Sequence, residues 1–155
     1  DYSTKYWGMV PFCAKLRNGS NHSGLDFELK PDSKIYSSTD GIVSHTQIGK
    51  EEGSGEIIAI SGDGFSLDYS GLKNLRVKKG DKVKKGDYIA DVVRIPHGEH
   101  HLHLGFSING KQECPLKYMD EEFYNATKEM FAVADYGSQT SAKCLCECES
   151  LTVPY

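Results

Sequence analysis

The stretch His100-His101-Leu102-His103-Leu104-Gly105-Phe106 decides how this chain is read. Written as a β-strand, it puts His101 and His103 on one face and Leu102, Leu104 and Phe106 on the other. The apolar back seats the strand in a core, and two imidazoles stand side by side in front. Taken alone, a His-x-His strand is only a polar strand face. The segment His22-Ser23-Gly24-Leu25-Asp26 adds another imidazole and a carboxylate, and the two segments together make a candidate metal site.

His22 and Asp26 have the i,i+4 spacing a helix could use for two ligands, but the local pattern is not helical. Leu25, Phe27 and Leu29 alternate with Asp26 and Glu28, which predicts a strand from about Leu25. In a straight strand His22 and Asp26 would lie ~13 Å apart, too far to share an ion bound at about 2 Å. The chain must therefore bend between them, and Gly24 supplies a backbone able to do so. Joined by His103, the pair makes a His/His/Asp set with one position open, the arrangement of a catalytic zinc rather than a structural one. Zinc there would lower the pKa of a bound water towards ~7 and polarise a substrate carbonyl. His101, on the same face as His103, stands where a group could move protons or stabilise an oxyanion. The residues alone leave open which of His101 and His103 is the ligand.

Working outward, Ile35-Tyr36 and Asp40 to His45 read as short strands around a turn, and Glu56 to Ile60 as a buried one. Ser61-Gly62-Asp63-Gly64 is a hairpin signal, with the chain returning through Phe65, Leu67 and Tyr69. Tyr6 to Leu16 reads as a lead-in strand. Val77-Lys78-Lys79-Gly80-Asp81 and Val83-Lys84-Lys85-Gly86-Asp87 are near-copies, each placing Gly-Asp at a tight turn behind a short strand. Tyr88 to Val93 is the strand that follows, and Ser107 to Lys111 is a hairpin. The one convincing helix runs from Asp120 to Ala134, capped by Asp120, with Phe123, Ala126, Thr127, Met130 and Phe131 as its apolar stripe. Many short strands and a single late helix predict an all-β domain of twisted antiparallel sheets with one peripheral C-terminal helix. Its expected span is residues 1–134, followed by a Cys-rich tail, 135–155, packed on it or extending from it.

A chain of 155 residues suits one domain that buries roughly 70% of its unfolded surface. No apolar run approaches the ~18 residues of a spanning helix, and DYSTKYWGMV lacks the basic start and apolar run of a signal peptide. The net charge of −4 argues against a broad nucleic-acid surface, although the basic stretch Lys73 to Lys85 could attract an anionic polymer. Five cysteines cannot all pair internally. Cys13 and Cys114 are candidates for a disulfide, and the Cys144-x-Cys146-x-Cys148 spacing suits disulfides or free thiols better than zinc. His45, His97 and His100 read as exposed or structural, and three Asn-x-Ser/Thr matches are at chance level.

The ordered set of motifs resembles the lysostaphin-type, LytM-like zinc endopeptidases over most of residues 20–118. The family's His-x-x-x-Asp and His-x-His segments match His22 to Asp26 and His101-Leu102-His103. Its Gly-x-Val strand matches Gly41-Ile42-Val43, its paired Gly-Asp hairpins match Val77 to Ile89, and its closing Pro-Leu matches Pro115-Leu116. The resemblance implies a duplicated-hybrid-motif β fold, zinc on His22, Asp26 and His103, and His101 as a catalytic group. It further implies an extracellular or cell-envelope endopeptidase that cuts peptide cross-links of peptidoglycan, with a cell-envelope protein as a possible partner. One position departs from the family pattern. Cleaving members usually have Tyr-x-His-Leu, and this chain has Tyr69-Ser70-Gly71-Leu72. The missing donor is worth roughly 3 kcal/mol of transition-state stabilisation. A degenerate module that keeps the zinc or only the groove, and acts as a scaffold, is therefore the second expectation. Ser61 likewise stands where many relatives have a histidine. A lipoyl-type carrier or phosphotransfer domain fits less well, because no lysine has the hairpin-tip setting and Asp26 would be left without a role.

Overall fold

The computed structural model describes residues 12, 20–49, 55–95, 100–133 and 146. The strands are β1 (Gly24–Glu28), β2 (Lys34–Tyr36), β3 (Gly41–Gln47), β4 (Glu56–Ser61), β5 (Phe65–Lys73), β6 (Lys82–Val83), β7 (Tyr88–Val92), β8 (His101–Ile108) and β9 (Lys111–Glu113). They form one antiparallel sheet system in the order β1-β8-β5-β4-β3-β6, with β2 joined through β7 to β5 and β9 on β8. The helix α1 (Glu121–Val133) follows a single 3₁₀ turn at Pro115–Lys117. The all-β expectation with one late helix holds.

The core is assembled by strand alternation. Leu25 and Phe27 of β1, Leu67, Tyr69 and Leu72 of β5, and Leu102, Leu104 and Phe106 of β8 are buried together with Ile58, Ile60, Ile89 and Val92. Because β8 lies between β1 and β5, the apolar back of the histidine strand is covered from both sides. Its front then belongs to a sheet face whose neighbours are fixed by register. A slip of one residue would turn the histidines inward, so burial of the leucines also holds the histidines outward.

Both near-copies form tight turns. Asp81 N–H donates to the Lys78 carbonyl and Asp87 N–H to the Lys84 carbonyl, each at 3.0 Å. The Asp81 and Asp87 carboxylates accept the Lys78 and Lys84 N–H groups at 2.9 and 2.8 Å. Gly80 and Gly86 have φ of +95° and +91°, which explains glycine before each aspartate. Only the second copy carries the expected short strand, at β6. Val77 is not in a strand, whereas β6 pairs with β3 at Gly41 and Ile42.

Two further expectations are corrected. Asp120 caps α1, its carboxylate accepting Phe123 N–H at 2.8 Å, but the buried stripe is narrower than predicted. Thr127 is buried, and Phe123 packs edge-on against Phe27, whereas Ala126 and Met130 are exposed. The Phe131 side chain, expected in the stripe, lies outside the described residues. The disulfide joins Cys114 to Cys146, with Cα atoms 5.4 Å apart, so Cys114 is not paired with Cys13. The buried Cys114, at the entry to the 3₁₀ turn, is instead reached by the tail. Cys13, Cys144, Cys148, His97, most of the lead-in segment and most of residues 135–155 lie outside the described residues.

Candidate metal centre

His22, Asp26 and His103 meet at one point. His22 Nε2 lies 3.1 Å from Asp26 Oδ1 and 3.0 Å from His103 Nδ1, and His103 Nδ1 lies 2.7 Å from the same carboxylate oxygen. His22 and Asp26 are buried, and the two imidazoles meet edge to face with centroids 4.9 Å apart. Among the described residues this is the one His/Cys/Asp/Glu group able to hold a metal ion. The choice between the strand histidines falls to His103, because β1 pairs Asp26 with His103 and Glu28 with His101.

The donor chemistry fits a borderline divalent cation. Two imidazole nitrogens and one carboxylate oxygen share a point where few protons are available to link them. A tetrahedral ion with bonds of about 2.0–2.1 Å holds its ligand atoms about 3.3 Å apart, so the triangle needs to open by only a few tenths of an ångström. Burial alone would raise the Asp26 pKa. Hydrogen bonds with His103 and His22, aided by the charges of His22 and His101, overcome it and lower the pKa from 3.8 to about 2. Asp26 is therefore ionised at neutral pH.

Gly24 has a different role from the one expected. Its φ is not in the left-handed region, and β1 starts there as ordinary strand. A Cβ at Gly24 would come within 2.4 Å of the Leu104 carbonyl oxygen and 2.8 Å of the His103 ring. The residue is a glycine because the Leu104 carbonyl oxygen and the imidazole both lie against it. Gly24 also pairs with Gly105 across the strands, and a Cβ at Gly105 would stand 3.6 Å from His103 Nε2. Two facing glycines form the floor on which the ligand ring rests.

Register arranges the site face in rows across β1, β8 and β5. One row is Asp26, His103 and Ser70; another is Gly24, Gly105 and Asp68; Glu28 and His101 begin a third. Ser70 and Asp68 were not singled out from the sequence, yet their alternation with Leu67 and Tyr69 carried the signal. His101 is half-buried beside the triangle, and its Nδ1 is buried without a hydrogen-bond partner among the described residues. Opposite it, the third row ends at Gly71. There β5 bulges, Ile57 facing both Ser70 and Gly71, so that Tyr69 and Leu72 both point inward. Gly71 has φ +80°, and a Cβ there would stand 2.2 Å from the His101 carbonyl oxygen. A histidine at position 71 would strain this backbone and push against β8. Tyr69 does not fill the gap, since its hydroxyl donates to Ser38 Oγ and accepts Ser38 N–H. Of the other histidines, His45 is exposed on β3 and His100 accepts Ile95 N–H at its Nδ1. Ser61 donates to Ser44 Oγ at 2.7 Å, a structural contact on β4.

Solved structures share this architecture. LytU is 26% identical with a TM-score of 0.59, the match covering 81% of this chain and 89% of LytU. A zinc-containing peptidase of Vibrio cholerae is 26% identical with a TM-score of 0.54, over 71% of this chain and 36% of that longer one. The catalytic domain of lysostaphin, an antimicrobial peptidase of Staphylococcus simulans, shares the fold at 21% identity and a TM-score of 0.57, over 72% of this chain and 88% of that domain. No curated protein matches the chain in sequence. The sequence model of peptidase family M23 matches residues 20–115, a span that holds every residue of the triangle, and the chain belongs to that family.

Proposed function

We propose that the protein is a zinc metalloendopeptidase that hydrolyses peptide bonds in cell-wall peptidoglycan cross-links, working in the extracellular space or cell envelope. The observation that carries this reading is the convergence of His22 Nε2, Asp26 Oδ1 and His103 Nδ1 in a chain of a peptidase family. The zinc content of the Vibrio cholerae peptidase supports the choice of metal, and the Cys114–Cys146 disulfide supports an oxidising compartment. Zinc held by these three residues would supply an acidified water and a Lewis acid for the scissile carbonyl. His101, half-buried beside the triangle, would take or return a proton beside the scissile carbonyl. Asp26 holds its charge throughout, and the half-buried face of β8 and β5 seats the peptide.

The second reading is a module that binds zinc without turnover and acts as a scaffold for wall material or an envelope protein. Gly71 favours it, because its backbone removes the donor that cleaving relatives place there. Metal analysis of untreated protein, beside His22→Ala and His103→Ala, tests the site. One equivalent of zinc that is lost in both variants is expected, and retention in either sinks the ligand assignment. A panel of wall peptides given to the zinc-loaded protein and to His101→Ala then separates the readings. Hydrolysis that His101→Ala abolishes supports the peptidase, and full zinc without any hydrolysis selects the scaffold.

A further inference from the structure

A second feature lies on the β2–β7 side of the sheet, away from the metal triangle. The register of β2 on β7 pairs Lys34 with Asp91 and Tyr36 with Tyr88, with an extra residue on β7 between them. Ile89 and Ala90 both point into the core as a result, leaving Tyr88 and Asp91 together on the outer face. The rings of Tyr36 and Tyr88 are 5.9 Å apart, and Tyr36 is 50% exposed. Lys34 Nζ stands 5.4 Å and Arg76 Cζ 5.3 Å from the centre of the Tyr88 ring. The Tyr88 hydroxyl and the Asn74 amide both donate to the Asp91 carboxylate, at 2.5 and 3.0 Å. Neutral donors thus make the direct contacts to Asp91, with the charges of Arg76 and Lys73 acting on it from farther away, and neither Lys34 nor Arg76 forms a direct ion pair among the described residues. Residues 73–94 carry eight lysines and arginines against three aspartates, in a chain whose net charge is −4.

We propose that Lys34, Tyr36, Arg76 and Tyr88 form a binding platform for an acidic polysaccharide, with a sugar ring on Tyr36 and its carboxylate between Lys34 and Arg76. An exposed tyrosine offers a flat apolar face with a polar edge, which suits the face of a pyranose ring. The two cations are already drawn to the π-face of Tyr88, so little side-chain freedom is lost when an anion arrives. The basic turns that follow extend the positive field along a chain-like ligand. A nucleic acid is the poorer match, because two cations make a small phosphate footprint and the rest of the chain is acidic.

Titration of the full-length protein with an oligogalacturonate, a neutral dextran oligomer of equal length and a single-stranded DNA tests the platform. The acidic glycan is expected to bind at least about tenfold more tightly than the neutral one, and binding should weaken between low and physiological salt. Tyr36→Ala and Lys34→Ala should each weaken it roughly tenfold, while Lys111→Ala, on β9, leaves it unchanged. Circular dichroism of each variant guards against unfolding, which exposed positions make a small risk. Equal binding of the neutral oligomer, no binding of any glycan, or affinity indifferent to both platform variants overturns the proposal. A preference for the DNA replaces it with a nucleic-acid platform. None of these readouts depends on zinc or on hydrolysis.

Discussion

Restoring the family histidine, by Gly71→His, should injure this protein rather than improve it. Comparison of motifs alone suggests the opposite, since one added donor is worth roughly 3 kcal/mol in the transition state, or about a hundredfold in rate. The structure sets two penalties against that gain. A side chain at φ +80° costs about 1–2 kcal/mol. The new Cβ would also meet the His101 carbonyl oxygen at 2.2 Å, a backbone atom that cannot rotate away, so β8 itself must shift. Forced repacking of this kind costs about 1–3 kcal/mol, giving a total loss of about 3 kcal/mol. For a domain of this size the melting temperature should fall by about 6–12 °C. The displaced strand carries His103 two residues on, so zinc affinity should fall as well. Gly71→Ala carries the same strain without an imidazole and serves as the control. Thermal melts, zinc competition and peptide hydrolysis are measured for all three proteins, and both variants should be less stable with neither more active. A Gly71→His protein that melts with the wild type and cleaves about a hundredfold faster would falsify this reasoning, because the backbone at Gly71 would then be freely adaptable.

Three other outcomes follow from the same geometry. Gly24→Ala, whose Cβ would stand 2.8 Å from the His103 ring, should lower zinc affinity at least about tenfold while leaving α1 and the disulfide intact; unchanged affinity would show that the ring has room to move. The folded pKa of Asp26, about 2 against 3.8, lies below its unfolded value, so its contribution is complete above about pH 4 and is lost as pH falls through about 2. That contribution is about 2 kcal/mol; an acid titration of metal-free protein should lose this slope in Asp26→Asn, and parallel curves would refute the assignment. Reducing Cys114–Cys146, which closes a separation of 32 residues, should destabilise the domain by about 3 kcal/mol in urea melts, and a negligible change would place the tail's attachment elsewhere.

The strands and the triangle were legible in the sequence because each rests on a period of two. Leu25 and Phe27 against Asp26, and Leu102 and Leu104 against His103, fix which side faces the core without knowledge of the partner strand. What depends on partners was not legible. The choice of His103 over His101 needs the pairing with Asp26, and the role of Gly24 needs Gly105 and the imidazole above it. Cys114 finds Cys146 through the path of the tail, which no spacing records. Met130 has the correct helical spacing but is exposed, so periodicity alone placed it in the core. Gly71 was legible as an absent donor, while its left-handed backbone follows from a bulge against Ile57 that alternation does not reveal.

The bulge also sets the proposed ligands and the proposed catalytic group in separate rows of the sheet. The triangle is built from one row of the β1–β8 register plus His22, and every element of that row is pinned by buried neighbours. The groups that would act on a substrate stand in the next row, where His101 faces Gly71 and the regular β5–β8 pairing has ended at Ser70. Strain and irregularity there leave Asp26 and His103 in place, because their contacts run to β1. A glycine at position 71 therefore leaves the proposed ligands in place, whereas losing Asp26 would leave His22 and His103 without their carboxylate. The zinc titration and the hydrolysis assay thus report on different rows of the same sheet, and their results are free to differ.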